Sequence, residues 1–169
     1  MLIVFGGLPG TGKTTIAREL ASQLGAVYLR IDSIEQAIRE SDLSGALLDD
    51  RGYRVAHAVA EDNLCLGRTV IADCVNPIQL TRDAWIDVAR RAHVQAVEVE
   101  VICSDAVEHR RRVETRVTDV AALKLPSWPE VVSRQYDPWN RERIVLDTAA
   151  RSVEDNVRVL RAALTRPAC

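Results

Sequence analysis

Lysine, aromatic residues and long apolar runs are all scarce in this chain. Of 22 basic residues among 169, only Lys13 and Lys124 are lysine, a bias that codon usage in a GC-rich genome accounts for. With 24 acidic residues the net charge is -2, and a protein that grips nucleic acid by bulk electrostatics would show a strongly basic domain or stripe instead. Small, local anion sites stay open. Four cysteines (Cys65, Cys74, Cys103, Cys169) form no C-x-x-C pair, and three lie in or beside apolar runs; they read as reduced core residues of a cytosolic protein. His57, His93 and His109 share no ligand spacing with them, which argues against a zinc site. The apolar run from Leu2 to Phe5 has no basic segment before it and is too short for a signal peptide or a membrane span. The expectation is a cytoplasmic protein with no membrane partner.

The chain has the length of one domain, 1–169, and it alternates strand and helix five times. Leu2 to Phe5, closed by Gly6-Gly7, has the continuous apolar character of a strand buried on both faces. Ile16, Leu20 and Leu24 follow at helical spacing, and Gly25 stops that helix. A second strand is expected at 26–31, then a short helix over 34–39 capped by Ser33, then a polar stretch to Asp50. Val55, Val59 and Leu66 suggest a longer helix over 51–67, followed by a strand over 69–72 and a helix over 77–92 with Pro77 in its first turn. Strand four, 96–103, carries alternating glutamates that imply a wetter face near a sheet edge. Ser104 then caps an arginine-bearing helix, 143–147 reads as strand five, and 152–165 as a final amphipathic helix. This order specifies an α/β three-layer sandwich: a five-stranded parallel sheet with helices on both faces and a helical lid over about 110–140.

Gly7-Leu8-Pro9-Gly10-Thr11-Gly12-Lys13-Thr14 fits G-x-x-x-x-G-K-[ST] at every fixed position, between the first strand and the first helix. Such a loop turns backbone N–H groups inward around a phosphate, and the helix N-terminus adds about half a positive charge there. Lys13 then reaches the β- and γ-phosphates of ATP, and the Thr14 hydroxyl ligates Mg²⁺. Thr15 reads as a helix residue beside the phosphates. No Asn/Thr-Lys-x-Asp guanine-reading motif occurs, and 169 residues leave little room for the subdomains of a mechanical ATPase.

Ligands of a doubly wound sheet bind beyond the carboxyl ends of its strands. Asp32 follows strand two and Asp73 follows strand three. Asp32 either orients and deprotonates an acceptor hydroxyl or caps a helix; Asp73 either supports Mg²⁺ or serves a turn before Asn76-Pro77. The two acids can exchange roles.

With Ile31-Asp32-Ser33-Ile34, Val70-Ile71-Ala72-Asp73, Asn76-Pro77, Arg82 and Trp85 beside the glycine loop, the chain resembles the AAA-type P-loop kinases of the nucleoside-monophosphate-kinase-like fold. That group includes chloramphenicol phosphotransferase, gluconate kinase, adenylylsulfate kinase and polynucleotide kinase domains. The resemblance implies that Asp32 activates the acceptor hydroxyl. It also implies a mobile arginine lid after strand four, where Arg112 and Arg116 stand four apart among Arg110, Arg111, Glu108 and Glu114. The alternative there is a solvated helix with internal ion pairs. Arg134 is a weaker lid residue, Arg151 a candidate adenine contact, and Arg82 either an anion binder or a partner of Asp83 or Asp87. The aromatic stretch from Trp128 to Trp139 either walls the site or packs the lid onto the core.

The expected site is therefore catalytic Lys13, Asp32, Arg112 and Arg116; nucleotide-binding residues 7–15 with Arg151; and Thr14 with Asp73 for the metal. The favoured reading is an ATP- and Mg²⁺-dependent kinase acting on a hydroxyl of a small molecule. A polynucleotide 5'-hydroxyl kinase and a regulatory ATP-binding module are the alternatives.

Overall fold

The computed structural model describes residues 1–41 and 50–165. Five strands, β1 (Leu2–Gly6), β2 (Val27–Arg30), β3 (Val70–Asp73), β4 (Ala96–Ile102) and β5 (Ile144–Asp147), form one sheet in the order β2-β3-β1-β4-β5. Every neighbouring pair runs parallel. The helices are α1 (Lys13–Leu24), α2 (Ile31–Ser41), α3 (Arg51–Cys65), α4 (Gln79–Arg91), α5 (Ala106–Thr115), α6 (Trp128–Val132) and α7 (Val153–Leu164).

The first strand explains the layering. Successive side chains of a strand point to opposite faces, so Leu2 and Val4 enter one core with Ala56, Ala60, Leu64 and Trp85, while Ile3 and Phe5 enter the other with Ile16, Leu20, Leu146 and Leu160. Both faces are dry, which is why this strand reads as an unbroken apolar run. The first core lies under α2, α3 and α4, the second under α1 and α7. Truncating any of these leucines to alanine would cost about 2–5 kcal/mol.

Four expectations are corrected here. Strand β4 lies next to the edge strand β5, near the edge as its pattern implies, but it has no wet face. Its alternating Glu98 and Glu100 are buried and neutralised by Arg141 and Arg143, from a segment more than 40 residues downstream. Helix α2 begins at Ile31, directly after β2, so Ser33 lies inside the helix rather than capping it. In α3 the buried face is Gly52, Ala56, Ala60 and Leu64, whereas Val55, Val59 and Leu66 are exposed; small alanines let the helix sit close to the sheet and outrank larger residues for the inner face. Helix α5 is capped by Asp105, whose carboxylate accepts from the Val107 and Glu108 N–H groups, and not by Ser104. Of the cysteines, Cys74 is a core residue, Cys65 is exposed and Cys103 is partly buried. Cys169 and most of the polar stretch before Asp50 lie outside the described residues.

Candidate functional site

The glycine loop leaves the carboxyl end of β1 at the centre of the sheet and opens α1. Its conformation requires glycine at two places above all. Gly7 has φ +138°, and a Cβ there would lie 2.2 Å from the Val101 carbonyl oxygen; at Gly10, φ +86°, it would lie 2.5 Å from Val113 of α5. The loop is also held from outside by hydrogen bonds. Gly7 N–H donates to the Val75 carbonyl (3.0 Å), Thr148 Oγ1 to the Thr11 carbonyl (2.8 Å), and His109 Nε2 to the Pro9 carbonyl (2.9 Å).

Lys13 is buried against the loop, with Nζ donating to the Leu8 carbonyl at 3.1 Å. Burial holds its pKa below the ordinary lysine value, while the negative charges of Asp73 and Asp32 act the other way. Asp73, the last residue of β3, is buried and accepts a hydrogen bond from the Tyr28 hydroxyl at 2.7 Å. Desolvation and the Asp73 charge push the Tyr28 phenol well above its usual value, so Tyr28 stays a donor and fixes that carboxylate. The neighbouring Cys74 thiol donates to the Phe5 carbonyl, and burial raises its pKa well above the usual range; it is no nucleophile.

One cleft of about 680 Å³ gathers most of the expected residues: Lys13, Thr14, Thr15, Asp32, Asp73, Arg112, Arg116 and Arg134 all line it, along with Pro9, Gly10 and Gly12. Asp32 sits in the first turn of α2, half-buried, on the β2 side. Arg116 faces it from the lid: burial lowers the guanidinium's pKa and the Asp32 charge opposes that shift. Arg116 is the extended C-cap of α5, so it does not share a helix face with Arg112. Arg112 donates Nε to Glu108 (2.7 Å), Nη1 to Thr148 Oγ1 (2.8 Å) and Nη2 to the Thr148 carbonyl (3.0 Å). Three of its five N–H groups are thus committed to tying α5 to the residue after β5.

Other expected residues stand elsewhere. Arg151 is exposed and does not line the cleft. Arg82 is fully buried and pairs with neither Asp83 nor Asp87. Its guanidinium donates to the carbonyls of Asn76, Pro77, Asp137 and Pro138, and lies 4.1 Å from the centre of the Trp139 ring. Trp128 meets the His109 ring edge-on at 5.2 Å, and Trp139 covers Gly6, so these aromatics pack the lid's return onto the core and line no part of the cleft.

Sequence reasoning missed His109, Thr148, Tyr28 and Asp119. Thr148, just past β5, was findable from its place at a strand's carboxyl end. Asp119, on the lid, pairs with Arg18 of α1 (2.5 Å) and Arg30 of β2 (2.6 Å). These contacts depend on chain crossings that no local pattern announces. Among the described residues no group of three or more His, Cys, Asp or Glu side chains is placed to hold a metal, and no helix is long and apolar enough to cross a membrane.

A parallel sheet of this order, with a glycine loop wrapped on a buried lysine at its centre, defines a phosphate-loop nucleotide-binding protein of kinase-like fold. The chain belongs to the AAA-domain family, whose profile it matches over residues 2–127. No curated protein matches the sequence significantly. Among solved structures it is similar to Kti12 of Chaetomium thermophilum in complex with ADP-AlF3, with 22% identity, TM-score 0.73 and 97% of each chain covered. It is similar also to the APS kinase of Mycobacterium tuberculosis in complex with AMPPNP and APS, with 16% identity, TM-score 0.69, 98% of this chain and 97% of that one covered. A gluconokinase of Sinorhizobium meliloti matches with 22% identity, TM-score 0.65, 96% of this chain and 90% of the other. At such identities these likenesses establish the shared fold.

Proposed function

We propose that the protein is an ATP-dependent kinase that transfers the γ-phosphoryl group to a hydroxyl of a small molecule. The observation that carries this reading is the meeting of Lys13, Thr14, Asp32, Asp73 and Arg116 on one cleft beside an intact glycine loop. Kinases of small molecules share this fold, the APS kinase and the gluconokinase among them. A regulatory module that only binds ATP would need the loop and lysine but not Asp32 facing a lid arginine across the cleft.

The loop fits a triphosphate by the strain it accepts: two glycines held where any Cβ would collide keep its backbone close-packed and turned around the lysine. The Thr14 hydroxyl and, through water, the Asp73 carboxylate suit Mg²⁺, with phosphate oxygens completing a shell that the protein alone does not offer. When bound, the metal supplies charge neutralisation between the β- and γ-phosphates. Lys13 lies where it can hold the γ-phosphate, and the fixed Asp73 carboxylate opposes the loss of charge that burial favours there. Asp32 orients the acceptor hydroxyl and takes its proton. The acceptor oxygen bonds to phosphorus as the bond to the ADP oxygen breaks, and that oxygen leaves with the electron pair. Arg116 balances charge on the transferring group from the lid side.

Two variants separate binding from transfer. Lys13→Ala should lose MgATP affinity by about tenfold or more. Asp32→Asn should bind MgATP normally and lose acceptor-dependent ADP formation by about 10²-fold or more. Full transfer activity in Asp32→Asn would overturn the assignment of the base, and unchanged ATP binding and turnover in Lys13→Ala would overturn the kinase reading itself.

A further inference from the structure

The cleft carries far more positive charge than the chain that forms it. Of the described residues lining it, nine are basic and four acidic, although the whole protein has a net charge of -2. Part of the excess serves the nucleotide: Lys13 lies on the glycine loop, and Arg111 and Arg112 lie on α5, both paired with Glu108. Of the rest, Arg30, Arg116 and Arg134 gather on the β2 side, near Asp32. Arg30 ends β2, Arg116 and Arg134 come from the two ends of the lid's return, and the three guanidiniums are close enough that each of the other two disfavours the charge on Arg116.

Their bonding sets two of them apart. Of the seven arginines lining the cleft, five are held in ion pairs, but among the described residues Arg116 and the exposed Arg134 have no ion-pair partner. Arg30 and Arg116 each also retain a buried Nε donor that no described group accepts. A buried donor without a partner is destabilising, and repulsion between like charges adds to it. Arg30 is meanwhile held by the lid's own carboxylate, Asp119, so a carboxylate is an anion this arginine already accepts. An anion entering beside Asp32 would relieve both the repulsion and the unpaired donors. A γ-phosphate on the loop would engage Arg116, whereas Arg134 lies on the α2 side of the same cleft, near enough to bear on the Glu35 charge.

Resting on the kinase reading above, we propose that the acceptor carries an anionic group, a carboxylate or a phosphate ester, besides the hydroxyl that is phosphorylated, and that Arg134 reads it with Arg30 alongside. Asp32 then takes the hydroxyl proton while the arginines fix the far end of the same molecule, which sets the hydroxyl's approach to the γ-phosphate.

The test uses sets of compounds that share a skeleton and differ in charge: glycerol, glycerate and glycerol 3-phosphate; glucose, gluconate and glucose 6-phosphate; adenosine and adenosine 3'-phosphate. Binding is measured by calorimetry on the full chain saturated with a non-hydrolysable MgATP analogue, with a 5'-hydroxyl oligonucleotide as a further arm. In at least one set an anionic member should bind about tenfold or more tightly than its neutral counterpart, and the carboxylate and phosphate arms identify which anion is read. Arg134→Gln should bring that ratio to within about twofold without changing affinity for the nucleotide or the neutral compound, while Arg90→Gln, an equal charge change on α4 outside the cleft, should leave it intact. No preference in any set, a preference that survives Arg134→Gln, or binding confined to the oligonucleotide would overturn the proposal. Loss of nucleotide binding in Lys13→Ala, measured alongside, shows separately whether the kinase reading stands.

Discussion

His109 Nε2 must carry the proton in its bond to the Pro9 carbonyl, because a carbonyl oxygen only accepts. That bond fixes the tautomer of a buried ring and the position of the peptide just before Gly10, one of the loop's strained glycines. His109→Ala should therefore weaken MgATP binding about tenfold by removing the donor and loosening the loop, whereas His109→Gln, which keeps an N–H donor of similar reach, should recover most of the affinity; nucleotide titration of the two variants decides it. Arg82 poses the opposite case, a charged residue named in the sequence for chemistry that turns out to hold structure. Its substitution by alanine would leave the carbonyls of Asn76, Asp137 and Pro138 without this donor, Pro77 keeping the Asp137 N–H at 2.7 Å, and would take from the Trp139 ring the nearer of its two cations. The expected loss is about 3 kcal/mol or more, read by denaturant unfolding, with Lys a poor substitute because it lacks the fork that reaches several carbonyls at once.

At the scale of elements, the lid is the part least supported by apolar packing. It leaves α5 at Arg116 in extended conformation, returns at Ser127 where α6 begins, and is tied to the core by Asp119 reaching Arg18 and Arg30. Ion pairs on a half-exposed carboxylate such as Asp119 contribute no more than about 1 kcal/mol, so this segment should open readily, as the proposed reading of it as a lid over the cleft requires. The scarcity of lysine makes this measurable. Lys13 is buried under the glycine loop and Lys124 is exposed on the lid, so a protease specific for lysine should cut the native chain at Lys124 alone. Asp119→Ala should raise that cleavage rate by up to about fivefold, and saturating MgATP should slow it. An unchanged rate in the variant would mean that Asp119 does not hold the lid down.

Across the whole molecule, what could be read in advance follows from the range of the forces involved. Strand β1, the glycine loop and α1 are specified by residues adjacent in sequence, and so were Asp32 and Asp73 at neighbouring strand ends. The glutamates of β4 read as a wet face because the arginines that neutralise Glu98 and Glu100 lie more than 40 residues away, and His109 and Asp119 are illegible because their partners come from loops and strands distant in the chain. The same long-range packing governs how stability responds to acid. His57 of α3 packs edge-on against Trp85 of α4 at 4.3 Å, its Nε2 buried without a partner among the described residues. Burial first, and then the charge of Arg91, lower its pKa from an ordinary value near 6.5 to about 4, with Asp50 acting weakly the other way. Between those values the unfolded chain binds a proton that the folded chain refuses, so falling pH favours unfolding, and the contribution is fully present only above about pH 6.5. Discounted for the ring's partial exposure, the loss amounts to about 1–2 kcal/mol by pH 4.5, or about 2–8 °C in Tm for a domain of this size. His57→Phe keeps an aromatic ring against Trp85 but cannot titrate. Its Tm should accordingly fall less steeply between pH 6.5 and 4.5 than that of the parent protein, and parallel curves would mean that His57 is not the group that couples α3 packing to acid.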